Sequence, residues 1–251
     1  PESLFFFFFA ERHAIFLRRQ AGQPKPWTDD PILQTYKFTN VFRELDRGTV
    51  WLRENFLEPH RDGSLELLAF NICWYRAFNF IGTGERLGWQ TEWRPDEVKA
   101  VLSAALARGE QVFTGAHIIR SEFNRPKIDS IVDVCTKLWN LCNHAFVPLY
   151  HYDDNPTLQA AFEGLRVIKY IGPFQAYEFV TDMRHTRLLE DAIDIMTWAN
   201  AGPGALRGLQ RLGMPCKNQV EACESMQILL SRSQERPNAL PVDFPQLEMR
   251  D

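Results

Sequence analysis

Apolar residues recur three and four positions apart along most of the chain, with polar residues between them, a pattern that predicts helices. The stretch Gly164 to Arg184, GLRVIKYIGPFQAYEFVTDMR, shows it best. Leu165, Ile168 and Ile171 share one helical face, Gly172-Pro173 interrupts it, and Ala176, Phe179 and Val180 resume it. The spacing predicts helix, tight hairpin, helix. Gly172 is expected to take the positive φ that ends the first helix, and Pro173 fits the first turn of the second. Against DNA, such a hairpin offers the open N–H groups of its second helix to a backbone phosphate. A helical corner that touches nothing has the same pattern.

The same reading extends to the rest of the chain. Residues 4–19 predict a helix whose aromatic run faces the core, and AGQPKPWTDDP (21–31) is too proline-rich to be helical. Asp30 stands at an N-cap position with Pro31 at the first helical position, and the pattern continues helically through residue 56. Phe38, Val41, Phe42, Leu45 and Leu52 would form its buried face. Residues 64–89, opened by Ser64 as N-cap, are apolar nearly all round and predict a central helix. Further helices are predicted over 95–109, 127–145, from 155 into the hairpin, from Gly202 and over 219–236. Only VFTGAHII, near 112–119, is β-prone and predicts a loop or small hairpin. The fold class is therefore all-α. The expected organisation is one globular domain over 1–251, with a helix-hairpin-helix-like element at 164–184 and a loop-like tail at 237–251.

Composition narrows the function classes. Hydrophobic content of 45% with 24% charged residues describes an ordinary globule, not a disordered chain. Because the net charge is −4, any DNA contact must come from a local basic patch. The five cysteines form no CxxC pair and point to a reducing compartment. The opening PESLFFFFFAERH has a short apolar run and no basic start, so neither export nor a membrane span is expected. An intracellular location is expected: the nucleus in a eukaryote, the host cytoplasm for a virus. No HExxH, EF-hand loop, zinc spacing, Walker loop or nucleophile elbow occurs, so no metal and no cofactor is expected.

Several clusters remain as candidate chemistry. Arg12, Arg18 and Arg19 can face a polyanion, although a solvated helix face is the favoured reading. On a continuous helix Asn40, Arg43, Glu44 and Arg47 fall on one stripe. That stripe is either a surface ion-pair ladder or a pair of guanidinium forks set for phosphate. Arg76, near Asn79 on an apolar segment, is either a structural ion pair or an anion ligand, and Thr83 either caps or contacts ligand. Gly202 and Gly204 begin a helix bearing Arg207 and Arg211, which is either an anion site or a plain turn. Lys169 and Arg184 flank the hairpin and, with Gly172, Pro173 and Arg211, are the expected DNA contacts.

Taken together, ERHAIFLRRQAGQPKPWTDDPILQTYKFTNVFRELDR, WYRAFN, VFTGAHIIRS, IGPFQAYEFVTDMR and WANAGPGALRGLQRL resemble one family. It is the α-glutamyl/putrescinyl-thymine pyrophosphorylase family, also called the 5-hydroxymethyluracil DNA kinase helical domain. The resemblance runs from about Glu11 to Arg236, and implies an all-helical fold similar to helix-hairpin-helix DNA glycosylases. It also implies thymine hypermodification in DNA: pyrophosphate on pyrophosphorylated 5-hydroxymethyluracil replaced by an amino acid or polyamine amine. The implied partners are DNA carrying the modified thymine, the amine co-substrate and a 5-hydroxymethyluracil DNA kinase. Members tend to continue past the position of Asp251 with a further segment.

Within that chemistry, Arg43, Arg47, Arg76 and the Gly202–Gly204 helix start with Arg207 would hold pyrophosphate, with Asn40, Glu44 and Asn79 beside them. Trp27, Phe42, Trp74, Trp89 and Trp198 are the candidate pocket walls. Asp29, Asp30, Asp182 and Asp194 are the candidate proton acceptors, and Asp194 matches the chain position of the glycosylase aspartate. Tyr170 stands where glycosylase hairpins have a first glycine, and Phe174 where bifunctional members have a lysine. A base-excision enzyme and a non-catalytic DNA-presenting module are the alternative readings.

Overall fold

The computed structural model describes residues 1–114, 125–146, 155–235 and 239–251, with the main chain alone at 146. Among these residues there are eleven α-helices and no strand. None of the helices is long and apolar enough to cross a membrane. Residues 112–114 of the β-prone piece are irregular, and 115–119 lie outside the described residues. The chain divides into two compact units, one of residues 47–194 and one that joins 1–46 to 195–251.

The 47–194 unit contains α3 (Arg47–Leu52), α4 (Leu65–Phe78), α5 (Ile81–Leu87), α6 (Pro95–Ala107), α7 (Lys127–Leu141), α8 (Leu158–Leu165) and α9 (Pro173–Met183). Helix α4 is its centre: Leu68, Phe70, Ile72 and Trp74 have no exposed surface, and α7 and α9 pack on it. The Ser64 hydroxyl accepts the Leu67 N–H at 3.3 Å, the cap expected from the sequence. The apolar run does not continue as one helix to residue 89. It ends at Asn79, in the left-handed region at φ 48°, and restarts at Ile81 after the extended Phe80. Gly84 explains part of this packing, since a Cβ there would lie 2.4 Å from the Trp51 ring.

The hairpin keeps its predicted apolar face while changing its backbone. Leu165, Ile168, Ile171, Ala176, Phe179 and Val180 are all buried. Helix α8, however, stops at Leu165, and residues 166–172 form turns. Gly172 does not take a positive φ; it is extended (φ −81°, ψ 173°) and precedes Pro173, the first residue of α9. The left-handed residue is Tyr170, at φ 79°. A bulky L-residue there is strained by about 1–2 kcal/mol. Tyr170→Gly is therefore expected to stabilise the unit by up to about 1 kcal/mol, read as a higher urea midpoint. A lower midpoint would mean that contacts of the ring, which lies 4.8 Å from the Lys169 ammonium, outweigh the strain.

The other unit contains α1 (Glu2–Gln20), α2 (Pro31–Thr35), α10 (Pro203–Leu212) and α11 (Gln219–Ser233). Asp30 caps α2 as predicted, one carboxylate oxygen accepting the Ile32 and Leu33 N–H groups at 2.9 Å. The long helix expected through residue 56 does not form. Helix α2 ends at Thr35, the backbone is extended at Tyr36 and again at Phe42, and a single 3-10 turn covers Arg43–Leu45. Tyr36, Phe38, Thr39, Val41 and Phe42 are aromatic or β-branched, and extended backbone suits them better than helix. The Asn40 amide then closes the turn, donating to Leu45 O at 2.9 Å and Asp46 Oδ1 at 3.2 Å. Phe38 is exposed, whereas Val41 and Phe42 are buried. Residues 239–251 of the tail are irregular yet integral: Leu240, Phe244, Leu247 and Met249 are buried, and Phe244 lies 5.2 Å from His13 and 5.7 Å from Phe42 between ring centres.

Candidate functional site

A cavity of about 470 Å³ opens between the second half of α1, the proline-rich connector, α2 and the extended chain after it. Local chemistry builds it. Gly22, at φ 68°, turns the chain at the end of α1, and its N–H bonds Arg19 O at 3.1 Å. The prolines that follow keep the connector from coiling, so it runs back past α1. The capped helix α2 supplies the opposite wall.

Arg12, Arg19, Lys25 and Lys37 line the cavity with Phe16, Trp27, Tyr36 and Phe38, and among the described residues no carboxylate belongs to its wall. The Trp27 ring is held from three sides. Its indole N–H donates to Gln23 O at 2.7 Å, the Arg19 guanidinium lies 5.2 Å from the ring centre, and the Lys25 ammonium lies 4.9 Å away. Arg18, paired with Glu11 at 2.8 Å, also donates to Trp27 O. Arg12 sits over the Phe38 ring at 5.7 Å. Its Nη2 donates to Thr39 O, to Thr39 Oγ1 at 3.1 Å and to Asn40 O at 3.3 Å. Its Nε is buried with no hydrogen-bond partner among the described residues. Burial lowers the Arg12 pKa from its ordinary value, and the charge of Asp46 opposes that shift. A volume in the roughly 300–1,000 Å³ range of small-ligand sites, with aromatic and cationic walls, suits a flat ring carrying negative charge.

The residues singled out in the sequence divide between the two units. Asn40 lines the cavity, and its neighbours Arg43 and Glu44 lie in the 3-10 turn, with Glu44 facing Arg250 at 3.5 Å. Asn40, Arg43, Glu44 and Arg47 share no helical stripe, because no helix spans them. Gly202, Gly204, Arg207 and Arg211 belong to the start and body of α10 and are not among the wall residues. Gly202 is extended, and Gln219 brackets the preceding Ala201 by accepting its N–H and donating to its C=O. Of the aromatic candidates, Trp27 lines the cavity. Phe42 is packed on His13, Trp74 has no exposed surface, Trp89 stacks on His60 at 3.8 Å, and Trp198 is half-buried.

In the 47–194 unit, Arg76 is an ion-pair residue. Its Nε and Nη2 both donate to Asp182, Nη2 also to Thr49 Oγ1 at 2.7 Å and Nη1 to Asn79 Oδ1 at 2.9 Å. Gln175 of α9 completes the junction by donating to Arg76 O at 3.0 Å. Burial raises the pKa of neighbouring Tyr75 to about 12, although the charge of Arg76 pulls the other way. Thr83 is buried and donates to Val112 O at 2.6 Å. Arg47 is exposed at the start of α3, Lys169 is exposed and Arg184 half-buried on either side of α9's start and end, and Pro173 is exposed.

Asp194 caps α8. One carboxylate oxygen accepts the Leu158 N–H at 2.7 Å and the other the Gln159 N–H at 3.0 Å. Asp194→Ala is accordingly expected to cost about 0.5–2 kcal/mol of stability, measured by urea unfolding. A neutral result would separate the carboxylate from the cap. Asp29 is exposed beside Thr28, which is part of the cavity wall.

Arg12, Arg19, Lys25 and Lys37 are the wall cations that the stripe argument passed over. The available signal was the interleaving of cations with Phe16, Trp27, Tyr36 and Phe38 over one short stretch.

Comparison with known proteins gives this geometry a context. The protein named 5-hmdU DNA kinase of Bacillus phage SP10 is 30% identical over 227 residues, which is 82% of this chain and 35% of that protein. The chain thus spans about a third of the length of that relative. No solved structure matches the chain. The family model described as 5-hmdU DNA kinase, helical domain, matches residues 2–251, and the chain belongs to that family.

Proposed function

We propose that this chain works on DNA carrying 5-substituted uracil, receiving the extrahelical base and its anionic 5-substituent in the cavity of the 1–46 segment. The observation that carries this reading is a single cavity wall with Trp27 as a stacking face, four cations and, among the described residues, no carboxylate. A base must leave the stack to expose its C5 substituent, and aromatic stacking recovers part of that cost.

The reaction that suits the site is displacement of pyrophosphate from pyrophosphorylated 5-hydroxymethyluracil. The amine nitrogen of an amino acid or polyamine forms a bond to the 5-methylene carbon as the carbon–oxygen bond breaks. The bonding electrons leave with pyrophosphate, and the ammonium that forms gives one proton to a base. Cations around the leaving group strengthen their hold as its charge grows. Of the four carboxylates considered, Asp30 and Asp194 hold helix starts and Asp182 holds Arg76. Asp29, exposed beside the wall, is the one best placed to take the proton.

Incubating the chain with DNA containing the pyrophosphorylated base and a mixed amine pool, then weighing the released nucleosides, tests this. Transfer yields an amine-substituted nucleoside and pyrophosphate. Free base with an abasic site would replace the reading by base excision. Retained DNA with unchanged nucleosides would reduce the chain to a presenting module.

A further inference from the structure

We propose that Arg12 is the specificity-determining residue by which the cavity distinguishes a phosphorylated 5-substituent from a hydroxymethyl one. The proposal rests on the cavity receiving the modified base.

Three observations converge on Arg12. Its Nη2 end is fixed by the Thr39 and Asn40 carbonyls, while its Nε is buried and has no acceptor among the described residues. A buried donor without an acceptor is costly, and an anionic oxygen satisfies it with a charge-assisted bond. The guanidinium plane rests over Phe38, so the fork is pre-oriented in a way that Lys37, a flexible point charge, is not. The wall also holds four cations and, among the described residues, no carboxylate. A hydroxymethyl base brings no charge to that wall, whereas a phosphomonoester brings about −1.5 to −2 at neutral pH. Asn40 is a positioning residue here: its amide closes the turn to Leu45 and Asp46 and so presents its own carbonyl to Arg12.

The test is calorimetric titration of the whole chain with single-stranded oligonucleotides of one sequence. They carry thymine, 5-hydroxymethyluracil or its phosphate ester at one position, and inorganic pyrophosphate is titrated separately. The phosphorylated oligonucleotide is expected to bind about tenfold to a hundredfold more tightly than the hydroxymethyl one. Arg12→Gln should bring that ratio to near unity. Lys37→Gln should weaken all three oligonucleotides together. If Arg12→Gln does not fold by circular dichroism, Arg12→Lys, which keeps the charge and loses the fork, should still lower the ratio. An unchanged ratio in the folded variant overturns the proposal. Pyrophosphate binding that depends on Arg12, with no oligonucleotide affected by Trp27→Ala, would instead overturn the base-binding reading and leave the anion subsite standing.

Discussion

Asp182→Ala is expected to destabilise the 47–194 unit by about 3–5 kcal/mol. Asp182 has no exposed surface, and both of its carboxylate oxygens accept from Arg76, itself only 5% exposed. Removing the carboxylate strands a guanidinium inside the α4–α9 junction with Thr49 and Asn79 as its side-chain acceptors among the described residues. With a typical domain stability of about 5–15 kcal/mol, that loss consumes a large part of the margin. The double change Arg76→Met with Asp182→Leu should recover most of it, because two apolar chains need no partner. Urea unfolding followed by far-ultraviolet circular dichroism reads both variants. A single variant within about 1 kcal/mol of the parent would mean that the junction does not depend on the pair.

The largest effect on binding is expected at Trp27. Trp27→Ala should weaken capture of an oligonucleotide carrying the modified base by about tenfold to a hundredfold, the worth of one stacked base. Arg19 and Lys25 now lie against the ring, so a stacking base has to share or replace a cation contact. A displaced cation becomes available to a neighbouring phosphate, which should appear as a steeper dependence of affinity on salt than in Trp27→Ala. Fluorescence anisotropy across a salt series measures both quantities. Equal affinities and equal slopes would place the base elsewhere.

Much of the helical framework was legible because it is written locally. Asp30 and Ser64 read as caps and act as caps. The apolar face of 164–184 was legible even though its backbone was not, since burial follows spacing and tolerates turns in place of a helix. The stripe from Asn40 to Arg47 failed because periodicity was extended across a run of aromatic and β-branched residues that prefer extended chain. The capping role of Asp194 joins residues 36 apart and leaves no local pattern. The cavity was hidden for a related reason. Arg12 and Arg19 read as a solvated helix face until the proline-rich connector folds back and gives them Phe38 and Trp27 as neighbours. Asp29 and Asp30 in the same stretch masked its basic character, although Asp30 is turned to the start of α2.

The most direct measurement uses the indole N–H resonances of the seven tryptophans during titration with an oligonucleotide carrying phosphorylated 5-hydroxymethyluracil. The Trp27 resonance should shift and saturate with the binding curve, since Trp27 lines the cavity. The resonances of Trp74 and Trp93, buried in the 47–194 unit, should stay in place. A stationary Trp27 resonance at saturating oligonucleotide would contradict the assignment of the cavity as the site that receives the modified base.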